Sequence, residues 1–512
     1  MTRTLSFLLL GVRSSRGIVG INFMRQYLII FLTMTLILTA CSPVVNESSQ
    51  RIAIPTASLS TEIPLETPAY VSPTVKGAYN LSDFIATGIL GRPTDTSVTM
   101  SVVPKMAMAL YCEYGTFMGT YSARTPSQIA SGGIPLEILM DGLEPDTRYY
   151  YRIRYNDSAG PEHTFITQRS TGGSFTFAVQ ADSHLNTDKH CDPDLYRQTM
   201  LNIAVSQPDF LIDLGDTFRT DKLNTINPET ISQLYIDQRQ YFGLLSASAS
   251  LFLANGNHEM EWGWLLDGSA DNPAVWSANL RNQYFPEPAP DNFYSGDTNI
   301  VENIGMLRDY YAWKWGEALF VVIDPYWSTI TDPKKSRDNW DWTLGETQYQ
   351  WFRQTLKTSN AKYKFVFTHH LLGENRGGIE AAPYFEWGGM NRNGSWGFDT
   401  YRPRWGVPIH QLMVDNHVTV FFQGHDHLFA KEALDGLIYQ TLPMPANTND
   451  AIPNQEFYPS ATMLPGSGYL LVEVSPEQVS VSFVRSFIPQ EEKPDQHNGQ
   501  VDYTYTITPS GH

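Results

Sequence analysis

The chain has 512 residues, 42% of them hydrophobic, three cysteines and a formal net charge of −18 at pH 7. That length allows two domains with cores of their own. The acidic balance, with no basic run beyond short pieces such as Lys334-Lys335, argues against long nucleic acids, whose phosphates are held by Lys and Arg.

Met24-Arg25 precedes an apolar stretch over 27–38 that is too short to favour a spanning helix and has signal-peptide flanks. Leu38-Thr39-Ala40-Cys41 resembles a bacterial lipobox, which implies lipidation of Cys41, a start at Met24 and a signal region over 1–41. A structural cysteine after a hydrophobic segment is the alternative. No Asp follows Cys41, which implies the outer membrane as destination if the cell is diderm. The expected place is the cell envelope, outside the cytoplasm, with the lipid anchor as the only membrane contact. Residues 42–70 are rich in Ser, Thr, Pro and Glu without periodicity and read as a flexible tether.

Residues 71–170 read as a small all-β domain of short strands without metal-ligand clusters. Tyr149, Tyr151, Ile153 and Tyr155 share one face at period two, predicting a packed sandwich core, with an aromatic sugar-binding face as the alternative. The run Leu143-Glu144-Pro145-Asp146-Thr147-Arg148-Tyr149-Tyr150-Tyr151 resembles the turn into a fibronectin type III strand, where one Tyr hydroxyl bonds back to nearby backbone. Cys112 and Cys191 fall in different predicted domains and make no disulfide scaffold, leaving one bridge between them as an alternative.

From 174 to 488 strands alternate with helices. The segments 175–180, 210–214, 251–254, 319–323, 364–367 and 418–422 are largely continuous apolar strands, as expected where both sheet faces are covered. Tyr196, Met200 and Ile203 suit one helix face, and Tyr349, Phe352 and Leu356 another. Segments 469–474 and 478–486 predict a closing hairpin, after which 489–512 reads as a polar tail.

Five strands each end in a cluster of metal-ligand residue types: Asp182-Ser183-His184, Gly215-Asp216, Gly256-Asn257-His258-Glu259, His369-His370 and Gly424-His425-Asp426-His427. Carboxylate, carboxamide and neutral imidazole suit borderline divalent metals, and a strand end holds them beside an open loop. His425 and His427 lie two apart and would face one side of a continuing strand. Singly each fragment is weak, since a Gly-Asp after a strand is usually a turn. The ordered set points to a two-metal hydrolase.

These motifs resemble those of the calcineurin-like metallophosphoesterase family over roughly residues 174 to 486. The resemblance implies a four-layer αββα sandwich, an α/β fold, preceded by the fibronectin type III-like sandwich. It places one metal on Asp182, His184 and His427, a second on Asn257, His369 and His425, and Asp216 between them. His258 matches the residue that contacts the phosphate and protonates the leaving oxygen. His369 comes first off its strand, with His370 as the alternative. In this family two ions about 3.5–4 Å apart lower the pKa of a shared water, which attacks phosphorus in line. The N-terminal region resembles the accessory domain of purple acid phosphatases. Their tyrosinate position nevertheless holds Arg219 here, and His184 stands where they carry Gly, against a ferric-tyrosinate site. Zinc, manganese or iron, divalent or mixed-valence, remain the expected cofactors.

Two insertions, 262–311 and 374–405, are expected to set the substrate. Arg376 and Arg392 in the second are candidates to hold a non-reacting phosphate oxygen, against a bland packed loop. The expected function is an anchored phosphohydrolase acting on small phosphomonoesters or phosphodiesters. The alternatives are a nuclease-type phosphodiesterase and a non-catalytic surface-binding lipoprotein.

Overall fold

The computed structural model describes residues 83–187, 191–373, 376–449 and 451–509. The leader, Cys41 and the tether lie outside the described residues. Among those described, no helix is long and apolar enough to cross a membrane, and Cys112 and Cys191 are buried and unpaired.

Six main strands come first: β1 (Phe84–Gly91), β2 (Val98–Pro104), β3 (Met108–Gly115), β4 (Leu136–Met140), β5 (Arg148–Tyr155) and β6 (His163–Ile166). β1, β2 and β4 form one antiparallel sheet, while β3, β5 and β6 belong to another. Along β5 burial alternates, so Tyr149, Tyr151, Ile153 and Tyr155 point into the core. Rings packed this way present no sugar-binding face. The Glu144 N–H donates to Tyr149 Oη at 2.9 Å.

Next come β7 (Phe175–Gln180), α1 (Pro193–Ser206), β8 (Phe210–Asp213), α2 (Pro228–Ser246), β9 (Ser250–Leu253) and α3 (Pro273–Tyr284). Each helix starts at an Asx residue whose side chain accepts from the first-turn amides, followed by proline: Asp192-Pro193, Asn227-Pro228 and Asn272-Pro273. These caps satisfy donors that have no partner inside the helix. The second half holds β10 (Tyr311–Trp315), β11 (Ala318–Val322), α4 (Gly345–Thr358), β12 (Tyr363–Phe367), α5 (Ile409–Asp415) and β13 (Val420–Gln423). β14 (Phe429–Leu434), β15 (Leu437–Thr441), β16 (Gly468–Val474), β17 (Val479–Arg485) and β18 (Val501–Ile507) complete it.

One sheet runs β9-β8-β7-β16-β17-β18, with β7 to β9 parallel. The other contains β10-β11-β12-β13-β15-β14, with β11, β12, β13 and β15 parallel. Their inner faces meet in one apolar core. There Phe177 of the first sheet packs edge-on against Phe320 and Phe365 of the second, at 5.1 and 5.4 Å. Truncating a buried Phe to Ala costs about 3–5 kcal/mol, so Phe177→Ala would loosen the seam between the sheets. Helices α1 to α3 cover the outer face of one sheet and α4 and α5 that of the other. Four αββα layers result, as the sequence motifs imply.

The all-β region sits against this sandwich through buried polar contacts. Tyr151 Oη donates to the Ala247 carbonyl at 2.7 Å, and the fully buried Arg239 of α2 donates to the Ser101 carbonyl and hydroxyl at 3.0 and 3.1 Å. One expectation needs correcting: within 489–512, read as a polar tail, β18 pairs with β17 as the outermost strand. Val501, Tyr503, Tyr505 and Ile507 alternate with Asp and Thr, as on a half-covered edge.

Candidate metal centre

All five clusters emerge at the carboxyl ends of parallel strands, three from β7, β8 and β9 and two from β12 and β13. The chain turns sharply there. Asp182, His184, Asp216, His425 and His427 have φ of 63°, 45°, 52°, 67° and 64°, the left-handed region that non-glycine residues seldom enter. His425 and His427 therefore do not sit on a continuing strand, as their spacing suggests. β13 stops at Gln423, and two left-handed residues bring both rings to the centre. Glycine is required at Gly215, where φ is 89° and a Cβ would stand 2.2 Å from the Gly256 nitrogen.

Hydrogen bonds lock these loops to each other. Asp182 N–H donates to the Gly215 carbonyl at 2.9 Å and His184 N–H to the Asp216 carbonyl at 3.0 Å. His425 N–H donates to Asp182 Oδ2 at 2.8 Å, joining the loops of opposite sheets. Buried Glu259 accepts from the amides of Gly256, Thr217 and Asp216 at 2.8, 2.8 and 3.1 Å and so fixes the second cluster against the third.

Two donor groups result, and a third set shares a residue with each. Asp182, His184 and His427 offer atoms within 4.8 Å of one another, and so do Asp216, His369 and His425, while His184, Asp216 and His258 form the third set. In the first group His184 Nε2 and His427 Nε2 are 3.0 Å apart, with Asp182 Oδ1 3.4 Å from the latter. In the second, His369 Nε2 lies 3.2 Å from Asp216 Oδ2, 3.2 Å from His425 Nδ1 and 3.1 Å from Asn257 Oδ1. Asp216 Oδ2 also lies 3.9 Å from His184 Nε2, so this one carboxylate touches both groups. Nitrogens facing nitrogens at such distances, beside carboxylates, suit a shared cation. Asp182 Oδ1, buried and without a hydrogen bond, is a further acceptor for one.

The electrostatics agree. Burial pulls His184 down to about 3, leaving the neutral imidazole that a metal requires. For His369 burial also opposes charge, but the Asp216 carboxylate outweighs it and pushes the ring up to about 10. The field that draws a proton onto His369 equally favours a metal cation. The Leu214 carbonyl lies 2.9 Å from His369 Nδ1, which places the proton there and turns Nε2 inward. His370 Nδ1 instead faces the Leu371 carbonyl at 2.6 Å, and this ring belongs to neither group. Of the two adjacent histidines, His369 is the one within a donor group.

His258 borders the centre, with Nε2 3.8 Å from Asp216 Oδ2. Its Nδ1 lies 2.6 Å from Asp221 Oδ1, whose other oxygen meets Lys222 Nζ at 2.8 Å. The sequence reading missed Asp221, because a lone carboxylate five residues after Asp216 carries no spacing signal. Glu259 stood inside a recognised motif, but its role became visible only with its three amide partners.

Arg376, a candidate for phosphate contact, has partners within the protein. It donates to Asp426 Oδ1 at 2.7 Å and to the His425 carbonyl at 3.0 Å. Tyr458 Oη and Gly377 N–H hold the other Asp426 oxygen at 2.5 and 2.9 Å. Arg376 thus braces the loop that carries His425 and His427. Arg392 lies over the Tyr384 ring at 5.7 Å, and both arginines line a cavity of about 240 Å³ with Phe457.

Residues 175–429 match the family model described as calcineurin-like phosphoesterase. Among solved structures, PhoD aligns with 83% of this chain and 90% of its own at 15% identity and a TM-score of 0.61. The purple acid phosphatase PPD1 from yellow lupin (Lupinus luteus) seeds aligns with 82% of this chain and 74% of its own at 14% identity and a TM-score of 0.55. Both show the same fold. No curated protein sequence matches the chain.

Proposed function

Residues 175–429 being a calcineurin-like metallophosphoesterase domain, we propose that the protein is a dinuclear metal-dependent hydrolase of small phosphomonoesters or phosphodiesters, anchored in the cell envelope through lipidated Cys41. The observation that carries the dinuclear reading is Asp216 Oδ2, a single carboxylate oxygen in reach of both donor groups.

Asp182, His184 and His427 would hold one ion, Asn257, His369 and His425 the other, and Asp216 both. Divalent ions at these donors supply Lewis-acid polarisation of the phosphoryl group and a nucleophile near neutral pH. The chain's own residues do the rest. Asp221 orients the His258 ring so that Nε2 faces the centre, where it can give a proton to the leaving oxygen. The Leu214 carbonyl and Glu259 keep the donors in place before substrate arrives, so no reorganisation is needed during the reaction. The net charge of −18 and the absence of long basic runs favour small esters over nucleic acids.

The test is metal content together with hydrolysis of p-nitrophenyl phosphate, bis-(p-nitrophenyl) phosphate and DNA by the chain from Ser42 onward. About two ions per chain and turnover of one of the small esters, but not DNA, are expected. Failure to bind metal on reconstitution would overturn the reading and favour a binding protein. Membrane fractionation of cells expressing the full chain and its Cys41→Ala variant tests the anchor, with the variant expected to leave the membrane fraction.

A further inference from the structure

Four aromatic side chains next to the centre take no part in holding metal. Trp262 and Trp264 stack at 5.0 Å with their planes 17° apart. Trp264 meets Trp342 edge-on at 5.8 Å, and Trp342 meets His370 edge-on at 5.3 Å. His370 in turn lies 4.7 Å from the ring of His425. The rings thus form a continuous series of contacts that reaches the His369/His425 half of the centre.

The series is set in place rather than draped. Gly263 N–H donates to the Tyr326 carbonyl at 3.1 Å, and a Cβ at Gly263 would stand 2.0 Å from the Trp327 carbonyl, so the loop carrying both indoles is pressed onto the chain after β11. Trp262 is four residues past His258 in the same connection. All three indoles are only partly buried, so they can touch a ligand. The Trp262 Nε1–H is enclosed yet has no hydrogen-bond partner, a donor that calls for an acceptor. None of the three indoles carries charge, which gives them nothing with which to hold a second phosphate. A flat π-system fits them, because stacking on indole needs no counter-charge and is strong for aromatic groups.

We propose that Trp262, Trp264 and Trp342 form a subsite for a flat aromatic ring borne on the organic side of the phosphoester. This rests on the phosphoesterase reading and names the substrate class that the same site prefers. The three indoles are specificity residues and leave the proton and metal chemistry to the groups already described.

Binding of phosphonates, which are not hydrolysed, separates this proposal from the one beneath it. Isothermal titration of the metal-loaded full chain with phenyl-, cyclohexyl- and methylphosphonate is expected to give phenyl at least about tenfold tighter than the other two. Trp264→Leu and Trp342→Leu should each reduce that preference, and Trp264→Phe should retain most of it. Equal binding of all three ligands, or of phenyl and cyclohexyl, would overturn the aromatic subsite while leaving the phosphoester site standing. A preference unchanged in both leucine variants would overturn it too. No binding of any phosphonate, with no ester turnover, would remove both readings. Should a leucine variant fail to fold, the phenyl-to-cyclohexyl ratio of the unaltered chain decides alone.

Discussion

The all-β region and the strand ends of the sandwich solve opposite problems with the same backbone. In the former, the left-handed non-glycine residues Arg92, Asp146 and Asn156 all lie between strands, while the aromatic side chains stay on regular strands and pack. At the centre, five of the seven expected ligands are themselves left-handed. Each such residue costs about 1–3 kcal/mol and persists only where its surroundings hold it. One region is stable because its side chains follow strand geometry. The other gathers donors by departing from that geometry, held by Glu259, the Asp182 carboxylate and the Arg376–Asp426 brace.

That contrast predicts where each kind of substitution is felt. His258→Ala should lower kcat by about 10²- to 10⁴-fold, the usual worth of a positioned acid, with thermal stability nearly unchanged. A loss of stability equal to that of a core substitution would mean that His258 serves packing. Stripping the ions should cost about 4 kcal/mol of stability if they had been present at a thousandfold above their dissociation constant. Calorimetry with and without chelator reads this, and an identical Tm in both would break the comparison.

Acid sharpens it within the all-β region. Burial draws His163 down to about 4 from an ordinary 6.5. Between those values the unfolded chain binds the proton and the folded one does not. The His163 contribution is therefore complete above about pH 6.5 and falls as pH drops toward 4, by roughly 3 kcal/mol at most. His163→Gln should lessen the slope of denaturant-derived stability across that window, to which the depressed His184 and His370 also contribute, and an unaltered slope would refute the assignment. The smallest effect belongs to the contact between the regions. Tyr151→Phe removes the hydrogen bond to the Ala247 carbonyl and should cost about 1–3 kcal/mol, since that buried acceptor loses its donor, without changing kcat.

Much of this was legible in the sequence because parallel strands buried on both faces read as continuous apolar runs, and their ends carried the donors. Predicted strands such as 210–214 and 251–254 fall within a residue of β8 and β9. The donors' order along the chain carried the family resemblance, and the resemblance implied which residues belong together. The path by which His425 and His427 converge was not legible, because it depends on backbone angles that no side-chain spacing reports. Asp221, the Asp426–Arg376 brace and the tryptophan series were hidden for a related reason, their partners lying far apart in sequence or giving no pattern. β18 was overlooked because its alternation sits among Asp and Thr. α3 has a readable start in Asn272-Pro273, but lies inside an insertion whose sequence also carries the loop residues expected to face substrate.

The central claim is that two ions share Asp216. Anomalous diffraction from manganese-loaded crystals tests it most directly. Two peaks about 3.5–4 Å apart on either side of the Asp216 carboxylate are predicted. A single peak, or two peaks neither of which contacts Asp216, would contradict the account.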